Sequence, residues 1–248
     1  MTSPPDYASS IKTGVSSYAN EAVEIPDYLE KHYWWAYVRP WAVRFFEREW
    51  LINLILIGWY KRLRDAALAA LGEIVPGRTL QVSCCYGSFT PELARRVKAG
   101  GGTLDLIDVV PAQLDNARCK LTKESPVNLM LRDSTDLKLP DASYDCVVLF
   151  FLPHEQPREV RTRTFAEAWR VAKPGGTIMI LEFGKPKWWH PLRYFYLPFL
   201  AVLEPFAPDI WGHDMTEWLP EAWQKCAIRQ KSLFGGYYQR IMITRPVS

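Results

Sequence analysis

Apolar and polar positions divide this 248-residue chain into three textures. Residues 1–25 are rich in Ser, Pro, Ala and Thr without apolar periodicity, which predicts a mobile leader. Residues 26–75 read as helical and strongly aromatic. Val43, Phe46 and Trp50 recur at i, i+3 and i+7, the spacing of one helix face. From Arg78 onward, short apolar runs alternate with amphipathic stretches, the order expected of a parallel α/β sheet.

The runs at 79–83, 103–107, 127–131, 146–151 and 177–183 are predicted strands, the fourth apolar enough to be buried on both faces. Thr90-Pro91 predicts a helix start, with Thr as N-cap and Pro at the first helical position. Leu114, Ala117 and Leu121 mark one helix face. Phe165, Ala168, Trp169 and Ala172 mark another, which Lys173-Pro174-Gly175-Gly176 must end. Two last strands, at 228–233 and 238–244, flank Phe234-Gly235-Gly236 as a closing hairpin. The expected architecture is one domain over 26–248. It is a seven-stranded, mostly parallel Rossmann-like sheet with an N-terminal helical lid (26–75) and an aromatic helical insertion after strand five (185–223).

The 11 Trp, 12 Tyr and 11 Phe crowd into the lid and the insertion. A net charge of +3 with no long Lys/Arg run argues against nucleic-acid binding. Cys84 and Cys85 are adjacent and the other three cysteines lie far apart, so neither a disulfide framework nor zinc spacing is expected. That usage suits a reducing, cytoplasmic compartment. The N-terminus lacks a signal-peptide layout, and no apolar run reaches the ~18 residues needed to span a bilayer.

In an open α/β sheet, ligands bind beyond the carboxyl ends of the strands. Three features fall at such ends: the loop Gln81-Val82-Ser83-Cys84-Cys85-Tyr86-Gly87, Asp108, and Asp133 with Ser134. An acid ending the second strand, ~20 residues after the loop, can accept hydrogen bonds from a ribose diol. Asp133 can accept one from an adenine amino group. Together with the Lys-Pro-Gly-Gly turn, this set resembles class I S-adenosylmethionine (SAM) methyltransferases over roughly residues 78–244. The resemblance implies their fold and a SAM site built from Gln81, Ser83, Cys85, Tyr86, Gly87, Asp108, Asp133 and Ser134. The resembled enzymes carry an acidic residue at the Gln81 position and glycines at those of Ser83 and Cys85. A neutral Gln81 facing the methionine end would leave the cofactor ammonium less reason to stay protonated, and Tyr86 beside it could shuttle a proton.

A second resemblance is narrower. Tyr33-Trp34-Trp35-Ala36-Tyr37-Val38, Cys85-Tyr86-Gly87, the stretch 149–157 (LFFLPHEQP), Leu203-Glu204-Pro205-Phe206 and Phe234-Gly235-Gly236-Tyr237-Tyr238-Gln239 resemble the rhodoquinone biosynthesis protein family (RquA). Membership implies conversion of ubiquinone to rhodoquinone by replacing a ring methoxy group with an amino group. It implies SAM as amino donor and a divalent metal, preferably manganese (Mn2+). Tyr86 and His154 are then the expected catalytic residues. His154 and Glu155 are the first choice of metal ligands, and His213 and Glu217, four apart with Asp214 adjacent, the second.

A ubiquinone substrate implies peripheral contact with the quinone-containing inner membrane. Trp188-Trp189, among Lys185, Lys187 and Arg193, reads as an interfacial segment, whereas residues 51–57 read as core packing. Two competing functions remain: a conventional SAM-dependent quinone or lipid methyltransferase, and a non-catalytic quinone-binding accessory protein. Oligomeric state is not legible in the sequence.

Overall fold

A computed structural model describes residues 23–213, 215–224 and 226–247. The leader expected over 1–25 lies almost wholly outside the described residues, as does Asp214. Seven strands form one sheet: β1 (Arg78–Val82), β2 (Thr103–Asp108), β3 (Val127–Leu131), β4 (Tyr144–Phe150), β5 (Ala172–Phe183), β6 (Ala227–Leu233) and β7 (Tyr238–Thr244). Their order is β3-β2-β1-β4-β5-β7-β6. The first five are parallel, and β7 runs antiparallel to both β5 and β6. This is the mostly parallel sheet with a closing hairpin that the alternating pattern predicted. The order reverses between β1 and β4, which sets a crevice at their carboxyl ends.

The central strands are apolar on both faces because helices cover both sides. Leu80, Val147 and Ile180 are fully buried, and so are Phe89 and Phe165 from the helices packed on them. At β5 the predicted turn becomes part of the strand. Tyr144 pairs with Ala172, and the register then jumps to Cys146 with Thr177. Residues 173–176 bulge out between these pairs, with Gly175 at φ 78°.

The N-terminal segment holds α1 (Asp27–His32), a π-helical turn (Trp34–Val38), α2 (Pro40–Phe46), α3 (Glu49–Ile55) and α4 (Tyr60–Leu71). The single face expected through Val43, Phe46 and Trp50 is not formed. Arg48 is extended (φ −66°, ψ 116°) and splits the run into α2 and α3, so Val43 is buried while Trp50 is 60% exposed. The break turns Glu47 inward, where its carboxylate collects three donors described below.

Between strands run α5 (Phe89–Ala99), α6 (Pro111–Lys120) and α7 (Arg158–Val171). The expected start of α5 shifts: Ser88, not Thr90, is the N-cap residue, and neither side chain caps the helix. Thr90 instead accepts a hydrogen bond from Gln81 at 3.0 Å. The insertion contains α8 (Leu192–Leu203), α9 (Ala207–Gly212) and α10 (Glu221–Gln224). Lid and insertion both lean over the carboxyl ends of the sheet, where the candidate site lies.

Candidate functional site

A cavity of about 570 Å³ opens at those strand ends. Its wall is mostly apolar and aromatic, with Trp35, Tyr37 and Phe46 from the lid, Phe151 after β4, and Tyr196 and Phe199 from the insertion. Polar side chains reach the wall in two places.

The first is the loop after β1. Ser83 stands at φ 72°, the left-handed conformation that favours glycine, which explains why resembled loops place glycine there. Its hydroxyl donates to Asp108 Oδ2 at 3.2 Å, and Cys84 N–H donates to the same oxygen at 2.8 Å. Val110 N–H donates to Asp108 Oδ1 at 2.8 Å. Burial raises the Asp108 carboxyl above its usual value, while these donors pull it back. Burial also raises the Cys84 and Cys85 thiols, so neither is a ready thiolate nucleophile.

Lid residues and α6 clamp this loop. The Tyr60 hydroxyl accepts from Ser88 N–H (2.6 Å) and Phe89 N–H (3.2 Å), satisfying the open end of α5. Glu47 accepts from Gly87 N–H at 3.0 Å, Asn116 at 2.6 Å and Lys120 at 3.0 Å. Lys120 also donates to the carbonyls of Cys85 and Gly87. Gly87 must be glycine here: φ is 77°, and a Cβ would run into the Tyr60 hydroxyl.

The structure places Gln81 and Tyr86 differently with respect to the cavity. Gln81 does not face the cavity. It is fully buried beneath the loop and donates to the Ser83 carbonyl (3.1 Å) and Thr90 (3.0 Å). β1 points it into the packing against α5, so it supports the loop rather than touching a cofactor. Tyr86 does line the cavity, but its hydroxyl donates to the Ala36 carbonyl at 2.5 Å and accepts from Gln113 at 2.9 Å. Its ring stacks on Tyr37 and Phe46. Burial raises the phenol well above its usual value, and its two hydrogen bonds tie the lid to the loop.

Ser134 lines the cavity and Asp133 does not. Asp133 accepts from Thr135 N–H at 2.8 Å in a tight turn, while Ser134 accepts from Gln156 at 3.1 Å. Ser83, Cys85, Tyr86, Asp108 and Ser134 are therefore brought to one wall, with Gln81, Gly87 and Asp133 behind it.

The second polar place follows β4 and β5. A 3₁₀ turn, Pro153–Glu155, sets His154 against Glu182 at the end of β5. Glu182 is fully buried, and its Oε1 lies 2.9 Å from His154 Nδ1. The backbone N–H groups of His154 (3.1 Å) and Phe183 (2.6 Å) also donate to this carboxylate. Burial works against a His154 cation, but Glu182 outweighs it and holds the imidazolium up to about 9. Glu155 lies 3.9 Å from His154 Nε2, and burial pushes its carboxyl up to about 8. Glu204, delivered by the end of α8, joins them on the wall, also raised by burial. Its Oε2 has no hydrogen-bond partner among the described residues.

The sequence reading named His154 and Glu155 but passed over Glu182 and Glu204. The signal for Glu182 was present: it is the lone charge in the apolar run of β5. Glu204 sat inside a quoted motif whose chemistry only packing reveals.

Among the described residues, no group of three or more His, Cys, Asp or Glu is gathered closely enough to hold an ion. His154 commits Nδ1 to Glu182, so the donors left are its Nε2 and the carboxyls of Glu155 and Glu204, both raised by burial and so reluctant to ionise. The alternative pair is not on one helix face. His213 follows α9 with Nδ1 on the Asp209 carbonyl (3.0 Å), while Glu217 sits in a separate 3₁₀ turn (Met215–Trp218).

Comparison with known proteins fits this architecture. Residues 79–176 match the methyltransferase domain family (Methyltransf_25). The chain is 34% identical over 140 residues to a demethylmenaquinone methyltransferase of Deinococcus radiodurans, covering 55% of this chain and 56% of that protein. It is 29% identical over 168 residues to the ubiquinone/menaquinone biosynthesis C-methyltransferase UbiE of Burkholderia mallei, covering 66% of each. The chain thus spans somewhat less than two thirds of the curated relatives it matches. Among solved structures, a Haemonchus contortus phosphoethanolamine N-methyltransferase 2 in complex with S-adenosyl-L-methionine superposes with a TM-score of 0.64. That match has 14% identity and covers 91% of this chain and 61% of that one. A SAM-dependent methyltransferase from Aquifex aeolicus gives 0.52 at 19% identity, covering 83% and 97%. The fold is that of the class I SAM-dependent methyltransferases.

Proposed function

We propose that this chain is a SAM-using transferase acting on a membrane quinone, and that it replaces a ring methoxy group of ubiquinone with an amino group to give rhodoquinone. The general reading is supported by the cavity itself. Asp108 and the Ser83–Tyr86 wall suit a polar cofactor, and the aromatic remainder suits an apolar ring. β2, which carries Asp108, and β5, which carries Glu182, are three strand spacings apart, roughly 14 Å. That span separates cofactor binding from proton chemistry. The relatives that act on quinones support the same substrate class.

The amino-transfer reading rests on the motif resemblance and on the protonation state of one group. At neutral pH, His154 (about 9) and Glu155 (about 8) both hold their protons. Replacing methoxy by an amine taken from SAM forms a ring carbon–nitrogen bond and breaks two others, the ring carbon–oxygen bond and the methionine carbon–nitrogen bond of the donor. No residue is assigned to the second cleavage, and the departing methoxide needs a proton. A protonated His154, oriented by Glu182, supplies one. In this proposal His154 is the catalytic acid and Asp108 the cofactor acceptor. Glu155 and Glu204 set the local field, and Tyr86 holds the lid shut over them. Manganese comes from the resemblance alone, and no step is assigned to it. The proposed setting is the cytoplasmic face of the quinone-containing membrane.

The second reading is ring C-methylation, which the names of the relatives favour. It needs a base to remove a ring or hydroxyl proton, which a site of two protonated groups supplies less readily at neutral pH.

One experiment separates them. Pure protein is incubated in two parallel assays, one with ubiquinone and one with a precursor quinone lacking a ring methyl. Each is run in vesicles with Mn2+ and SAM labelled with nitrogen-15 at its amino group, and the quinone is weighed by mass spectrometry. A labelled amino group in place of methoxy is the expected result. A gain of methyl on a precursor quinone transfers the protein to the second reading. Bound SAM with no quinone changed under either assay overturns both.

A further inference from the structure

Large apolar side chains normally avoid the surface in contiguous groups, so a group around a cavity mouth calls for an occupant. On the lid, Trp41, Phe45, Trp50 and Leu54 are 40–66% exposed. On α8, Phe195 (80%), Phe199 (60%) and Val202 (82%) recur at i, i+4 and i+7 and form an outward stripe. The neighbouring stripe, Tyr196, Leu200 and Leu203, faces the cavity. No charged residue falls between Arg193 and Glu204.

The two surfaces adjoin. The Tyr196 hydroxyl donates to the Ile55 carbonyl, tying α8 to the end of α3. Leu54 and Phe199 are each well exposed and each on the cavity wall, so the cavity opens through this apolar surface. Cations stand at its margin. Arg48 lies 5.1 Å over the Phe45 ring, and Lys187 lies 5.9 Å from the Trp189 ring.

We infer that α3 and α8 form a docking surface for an anionic bilayer, and that the gap between them is the portal by which a lipid-borne substrate reaches the cavity without crossing water. The occupant is chosen by three features together: an uncharged apolar stripe, aromatic rings with cations at the edge, and continuity with an apolar cavity. These match an interfacial helix lying in the headgroup region. α8, at 12 residues, is about 18 Å long and too short to cross a core of about 30 Å. Among the described residues no helix is long and apolar enough to span a membrane. That the substrate is a quinone rests on the proposed function; the docking does not.

The test is co-sedimentation of the full chain with phosphatidylcholine vesicles, with and without phosphatidylglycerol. Its control is the double variant Phe195→Asp/Val202→Asp, two surface positions off the cavity wall. Wild type should bind, more tightly with the anionic lipid and less so in high salt. The variant should lose binding by about tenfold or more while keeping its melting temperature and its calorimetric affinity for SAM. Equal binding by variant and wild type, or none by wild type, overturns the inference. So does a wild-type dimer in light scattering that the variant dissolves, because the surface would then belong to a second copy. Retained vesicle binding with no quinone conversion would sink the proposed function and leave the docking standing. Conversion in detergent without vesicle binding would do the reverse.

Discussion

The two polar places on the cavity wall are built on opposite principles. Around the loop after β1 the polar groups find partners from neighbouring elements: on the wall Asp108 holds three donors and Tyr86 bridges Ala36 and Gln113, and behind it Glu47 of the lid holds three donors. Around His154 the titratable groups are crowded and incompletely satisfied, with three carboxyl groups near one imidazole and a bare oxygen on Glu204. A satisfied network is rigid and suits holding a ligand in one pose. A crowded one shifts proton affinities and suits chemistry. The chain can afford the second because the first, with the sheet beneath it, fixes the geometry.

The sharpest way to break this contrast is Glu182→Ala. It leaves a buried imidazolium without its counter-ion, a loss of about 3–5 kcal/mol. Urea denaturation should show that loss, and the double variant with His154→Phe should recover much of it. A loss under about 1 kcal/mol would mean that His154 is not charged in the folded protein.

Next in size is pH. Glu155 titrates from its ordinary 4.5 up to about 8, and His154 from 6.5 up to about 9. In both windows the folded state binds more protons than the unfolded one, so stability falls as pH rises. The His154 contribution is complete below pH 6.5 and gone above about 9. The two windows overlap between pH 6.5 and 8, where the decline should be steepest, about 3 kcal/mol across that interval. Denaturation curves across that range test it, and a flat or rising profile would remove the buried proton store.

The smallest effect is expected at the satisfied end. Tyr86→Phe removes one latch, with a cost of about 1 kcal/mol and turnover reduced less than about tenfold. A loss beyond about a hundredfold in kcat, with the melting temperature barely changed, would return Tyr86 to the proton chemistry.

Much of the fold was legible because its signals are local. Runs such as that of β4 are apolar over the right length, and strand-end acids follow at the right spacing, so sheet, hairpin and the general place of the site could be read along the chain. Misreadings came where neighbours in space decide. Val43, Phe46 and Trp50 obey helical spacing, yet the chain breaks at Arg48 because Glu47 gains three donors by turning inward. Thr90 has the pattern of a cap, but Tyr60, thirty residues earlier, covers the helix end instead.

At the site itself the sequence by itself determined which residue types stand at which strand ends: Ser83, Asp108, Ser134, His154. Strand alternation and the strand-to-loop step are properties of consecutive residues. Only the tertiary structure decided which way each side chain turns and what charge it carries. Gln81 went beneath the loop because β1 packs against α5, and Tyr86 became a latch because the lid lies over it. Glu182 and Glu204, 22 residues apart in the sequence, meet His154 only when β5 and α8 converge. Proton affinity depends on burial and on neighbouring charge, and both are set by contacts between distant segments.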